Sequence, residues 1–156
     1  MKAKEERNEP KQRLDYVRKW CSLQERCTQD VREKLRQRGA HSEEVEAIVA
    51  TLREENYLND QRFAEAFVRA RAVQKRWGPT KIQLGLRAKG ISSADVMRAL
   101  DELESNAFED SLATLAEKRK HEIPEGRDRV IRWLISRGFS LSSVLRELER
   151  MDDSTA

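Results

Sequence analysis

The side chains able to do chemistry in this chain are poorly spaced for catalysis, while its cations are concentrated in one stretch. His41 and His121 are the two histidines, and neither has a nucleophile or carboxylate at a spacing that would make it a general base. Cys21 and Cys27 could offer thiolates to a metal, but zinc takes about four ligands and both histidines stand far along the chain. They read as ordinary reduced thiols, partly buried, and no metal or other cofactor is expected. Carboxylate pairs such as Glu43 with Glu44, and Glu54 with Glu55, fall where solvated helix faces are expected. Neither a glycine-rich phosphate loop nor an H-E-x-x-H pattern occurs. The chemistry that remains is electrostatic binding, and no enzyme is expected.

Between Gln61 and Gly90 stand Arg62, Arg69, Arg71, Lys75, Arg76, Lys81, Arg87 and Lys89, with Glu65 as the one acid, a net +7 in a chain whose total is +3. At about 100° per residue, Arg62, Arg69 and Arg76 share a helical stripe away from Phe63 and Phe67. Such a stripe is either a solubilising outer face or a surface for nucleic-acid phosphate or an acidic protein groove. Trp77, next to Lys75 and Arg76, is placed either to stack on a base or to pack as a wedge between structural units. A second basic group, Arg127, Arg129, Arg132 and Arg137 with Lys118, Arg119 and Lys120 upstream, is diluted by Glu117, Glu122, Glu125 and Asp128.

The elements that must carry these residues repeat. The pattern L-x3-G-x5-V occurs at Leu35, Gly39 and Val45, at Leu86, Gly90 and Val96, and at Leu134, Gly138 and Val144. The offsets are 51 and 48 residues, near the long end of stacked-repeat periods. Val31, Ile82 and Val130 lie four places before each leucine, so leucine and predecessor face one way on a helix. The glycines suit the left-handed residue that ends such a helix. Thr28, Ser42, Ser92 and Ser140 are placed to cap or open helices, Ser92 with Asp95 as a capping box. Gly78-Pro79 suits a helix start, and Gly85 reads as a point of close backbone approach.

The fold expected is all-α, three tandem three-helix repeats stacked into an elongated, curved body. The boundaries expected are a flexible tail at 1–13, repeats at 14–57, 58–105 and 106–151, and a frayed end at 152–156. Charged residues make up 38% of the chain and aromatics 6%, as narrow apolar stripes on helices require. A charged N-terminus and the lack of an 18-residue apolar stretch point to a soluble cytoplasmic protein without a membrane partner. Three unequal repeats lacking an exposed heptad seam favour a monomer.

The residues also resemble a known family. Asn56-Tyr57-Leu58-Asn59-Asp60, then Arg62-Phe63-Ala64, Gly78-Pro79, Lys81-Ile82, Leu86 and Lys89-Gly90-Ile91 resemble the central signature of the RecX family of RecA regulators. V-R-E-K-L-R-Q-R-G before it and V-I-R-W-L-I-S-R-G-F after it extend the likeness from about Leu14 to Met151. Asn56 departs from it, since the family often has glycine before Tyr57, which points to a slightly different turn. The resemblance implies a non-enzymatic modulator that binds the RecA filament on single-stranded DNA, lying in its helical groove. It would mainly inhibit ATP hydrolysis, filament extension and strand exchange. The eight cations between Gln61 and Gly90 are the contact residues expected from charge, and RecA-independent DNA binding through the same face is the alternative.

Overall fold

The computed structural model describes residues 9–155, which form nine α-helices and no strand. The first unit comprises α1 (Pro10–Leu23), α2 (Thr28–Gln37) and α3 (Ser42–Glu54). The second comprises α4 (Asp60–Arg69), prolonged by a π-helical turn (Ala70–Gln74), then α5 (Pro79–Ala88) and α6 (Ser93–Asp101). The third comprises α7 (Ala107–Lys118), a 3-10 turn (Lys120–Glu122), α8 (Ile123–Ser136) and α9 (Leu141–Thr155). The architecture is an all-α helical repeat.

The recurring leucine and glycine have one joint backbone explanation. Gly39, Gly90 and Gly138 take φ of +89°, +74° and +105°, and the next amide reaches back to the carbonyl of Leu35, Leu86 and Leu134 at 3.0, 3.1 and 3.4 Å. Each leucine therefore fills the core with its side chain and closes its helix with its carbonyl. Asn56 does the same work after α3: its φ is +63°, and the Tyr57 amide donates to the Leu52 carbonyl at 2.9 Å. Asparagine tolerates that conformation, so the turn is a left-handed helix stop without glycine.

Each unit has its own core. Val17, Val31, Leu35, Val49 and Leu52 are fully buried in the first. Ala64, Val68, Ile82 and Leu86 fill the second, and Val130, Leu134, Val144 and Leu148 the third. Ser92 and Ser140 cap α6 and α9, accepting from the Asp95 and Ser143 amides at 3.2 Å. Pro79 stands at the first position of α5.

Several details differ from the sequence expectation. Pro10 to Arg13, expected in the tail, form the start of α1, and Arg13 is buried with its guanidinium 2.7 Å from Glu44. The remainder of the expected tail, residues 1–8, lies outside the described residues. The expected frayed end is helical through Thr155, because Val144 and Leu148 hold α9 to the core. Gly85 accommodates the ring of Phe67, which an added Cβ would meet at 2.9 Å, and not a backbone. Thr28 does not cap α2; Cys27 stands at the cap position, and Thr28 is the first helical residue.

Neighbouring units are joined in two ways. At the first joint, the Thr28 amide and hydroxyl both donate to Asp60 Oδ1, at 2.8 and 3.0 Å. A carboxylate from the second unit thus occupies the N-terminus of α2, where the helix dipole favours an anion. Arg62 pairs with Glu25 and Lys89 with Asp30, the Gln29 side-chain carboxamide donates to the Ala88 carbonyl, and Cys27 packs in the second core. At the second joint, the Gly78 amide donates to the Arg137 carbonyl at 2.7 Å, and the Thr80 amide to the Gly138 carbonyl at 3.1 Å. The amides opening α5 thereby meet the carbonyls that follow α8, each satisfying groups its helix leaves unpaired.

Candidate functional site

The second unit positions the basic residues, and it breaks the stripe expected for them. Regular helix ends at Arg69, and the π-helical turn then widens the backbone. Arg76 takes φ +54°, which lets the chain fold back so that the Trp77 amide donates to the Arg71 carbonyl at 2.9 Å. Trp77 packs edge-on against Phe67, with ring centroids 6.4 Å apart. Arg76 is consequently off the helix and does not continue the line of Arg62 and Arg69.

The eight cations then fall into three groups. Arg62 is structural: it pairs with Glu25 at 2.5 Å and donates to the Asn56 side chain and to the carbonyls of Asn56 and Tyr57. Lys89 likewise bridges units through Asp30 at 3.0 Å, a contact that raises its pKa. Arg71 and Lys81 lie over the Trp77 ring at 5.0 and 4.2 Å, so this indole has cations on it and is not a bare stacking platform. It is partly buried and packs against the second core. Arg69, Lys75, Arg76 and Arg87 have no acidic partner among the described residues, and Arg69, Lys75 and Arg87 are exposed. Those four form the part of the basic set that remains available to an external anion.

Arg71 and Lys89 also flank a cleft of about 430 Å³ between the first two units. Phe63 and Phe67 line it, and Glu25, Arg26 and Asp30 complete its charged rim. The sequence reading missed the first unit's cations at the clefts of this joint. Arg26, Arg32, Arg36 and Arg53 lie among acids along the chain, yet folding engages Glu46 with Arg32 and Glu55 with Arg18. The one usable signal was the i, i+4 spacing of Arg32 and Arg36, which puts both on one face of α2.

Cys21 and Cys27 are buried free thiols, and desolvation pushes both up to about 11, well away from a reactive thiolate. No group of three or more His, Cys, Asp and Glu side chains among the described residues is arranged to hold a metal ion. No helix among them is long and apolar enough to cross a membrane.

A family model described as RecX, second three-helix domain, matches residues 59–100, which span α4 to α6. The chain is 39% identical over 118 residues to Regulatory protein RecX of Pseudomonas syringae pv. tomato, covering 74% of this chain and 76% of that protein. It is 34% identical over 122 residues to Regulatory protein RecX of Pseudomonas putida, covering 76% and 78% respectively. The crystal structure of RecX from Lactobacillus salivarius is similar in fold, with a TM-score of 0.82 at 24% identity over 92% of this chain and 96% of that one. A crystal structure of regulatory protein RecX gives a TM-score of 0.80 at 26% identity over 90% and 71%. With relatives this similar over most of both chains, and with the repeat, the helix stops and the middle unit all in place, the chain belongs to the RecX family of regulatory proteins.

Proposed function

We propose that this protein binds RecA filaments on single-stranded DNA and mainly inhibits their ATPase, extension and strand exchange, acting in the cytoplasm as a monomer. The observation that carries the reading is that Arg69, Lys75, Arg76 and Arg87, all in the unit matched by the family model, lack acidic partners among the described residues. Their uncompensated charge would be drawn to acidic groups in the filament groove or to DNA phosphate within it. A series of joined units offers a long surface that can bridge successive subunits of a helical polymer.

Titrating the protein into RecA during single-stranded-DNA-dependent ATP hydrolysis tests this. Suppression at or below one protein per RecA subunit is expected, and Arg69→Glu, Lys75→Glu and Arg87→Glu together should weaken it by at least about tenfold. Unchanged hydrolysis over a wide titration at moderate salt would contradict it. The same unpaired cations favour a second reading, DNA binding without RecA. That reading predicts binding to naked DNA strong enough to act alone, falling steeply between about 50 and 200 mM salt.

A further inference from the structure

A second cleft, of about 350 Å³, lies at the first joint on the side of Thr28 and Gly90. Four cations from three helical segments line it: Arg32 and Arg36 from α2, Arg53 from α3, and Lys89 just beyond α5. The anions beside it are already engaged. Asp60 Oδ1 accepts from the amide and hydroxyl of Thr28, Glu46 pairs with Arg32 at 2.9 Å, and Asp30 pairs with Lys89 at 3.0 Å. Among the described residues the Arg53 guanidinium bonds to a neutral partner, the Thr28 hydroxyl at 3.1 Å. The Arg36 guanidinium has no hydrogen-bond or ion-pair partner among the described residues. The Glu46 carboxyl is held below its ordinary range, first by its bond to Arg32 and the charge of that guanidinium, and then by the charges of Arg53 and Arg36.

We propose that this cleft is a binding site for a phosphoryl oxyanion, with Arg36 and Arg53 as its principal ligands and Arg32 and Lys89 at its sides. Two guanidinium forks on different helices match the several oxygens of a phosphate, whereas a single carboxylate would be satisfied by one of them. Since Arg36 and Arg53 come from the first unit and Lys89 from the second, an occupied cleft ties the two units together. This site stands independently of any action on RecA. The phosphate could be free or part of a nucleic-acid backbone, and the two are separated as follows.

The full chain, alone, is titrated with inorganic pyrophosphate, with a dT12 oligonucleotide, with dT12 whose backbone is uncharged methylphosphonate, and with citrate, following amide chemical shifts. Pyrophosphate should move Gln29, Arg36, Arg53 and Gly90 more than the rest of the chain and raise Tm. Arg36→Gln with Arg53→Gln should weaken it by about tenfold or more, while Arg69→Gln with Lys75→Gln leaves it within about twofold. Arg36→Gln alone, at an exposed side chain without a hydrogen-bond partner among the described residues, keeps the test valid if the double variant folds poorly. Binding of pyrophosphate with dT12, and not of the methylphosphonate form, identifies a backbone phosphate. Binding of pyrophosphate alone identifies a free one. No localised shift with any phosphate probe, equal binding of citrate, or binding indifferent to Arg36→Gln and Arg53→Gln would overturn the proposal.

Discussion

The two joints of this molecule hold similar three-helix units together with different materials. At the second joint, backbone meets backbone where Gly78 and Gly138 leave no room for a side chain, with the Arg137 guanidinium donating to the Lys75 carbonyl beside it. At the first, side chains do the joining: Asp60 on the start of α2, the Glu25–Arg62 and Asp30–Lys89 pairs, and one buried thiol. Backbone contacts of the first kind are indifferent to salt and intolerant of added atoms. Charged contacts of the second kind are screened by salt and tolerate repacking. The same repeat thus yields one joint governed by sterics and one governed by electrostatics, and the second unit sits between them.

The largest effect is expected from breaking the steric joint. A Cβ at Gly138 would stand 2.5 Å from the Lys81 Cβ and 2.8 Å from the Gly78 carbonyl oxygen, at a φ of +105°. Gly138→Ala should therefore cost about 2–5 kcal/mol, combining a left-handed conformation with overpacking, and lower Tm by roughly 10 °C. Gly39→Ala isolates the conformational part, because its φ is +89° and nothing lies within 4 Å of the new atom. A loss of about 1–2 kcal/mol is expected there. Equal losses at the two glycines in thermal unfolding would remove the steric account of the second joint.

Removing the carboxylate that opens α2 comes next. Asp60→Ala leaves the amide and hydroxyl of the buried Thr28 without their acceptor, and about 1–3 kcal/mol should be lost in urea unfolding. Glu25→Gln should cost less than about 1 kcal/mol, since both partners of its pair are partly exposed, and that cost should fade towards 1 M salt. A salt-independent cost would argue against an electrostatic joint. The smallest effect concerns alkaline pH. Cys27 is buried in the second core and its thiol is pushed up to about 11 from 9.0 by desolvation. The neutral form is the one folding favours, so this contribution is complete below about pH 9 and lost as pH rises through about 11. Cys27→Ala should flatten the alkaline fall in stability relative to the parent, leaving the part due to Cys21.

Much of the fold was legible because the repeat uses local rules. A leucine facing the core, a glycine four residues later and a serine cap describe a helix end and the next helix start with no reference to the rest of the chain. Asn56 was readable only in part, as the sequence shows the missing glycine but not that asparagine takes the same φ. The site was less legible for two reasons. Ion pairs across the joint withdraw Arg62 and Lys89 from the basic face, and partners 37 and 59 residues away leave no trace in a local charge count. The π-helical turn and the positive φ of Arg76 take that residue off the expected stripe, in a segment where Trp77 folds back on Phe67. Conversely, Arg36 and Arg53 stand among acids along the chain, yet in space neither makes an ion pair among the described residues.

The central functional claim, that the second unit's unpaired cations engage a RecA filament, is tested most directly by co-sedimentation with RecA assembled on single-stranded DNA. Parallel tubes hold the same DNA without RecA. The parent protein should pellet with filaments at concentrations where naked DNA retains little of it, and Arg69→Glu, Lys75→Glu and Arg87→Glu together should return it to the supernatant with its Tm unchanged. Equal retention on filament and naked DNA, or a triple variant that pellets as well as the parent, would contradict the account.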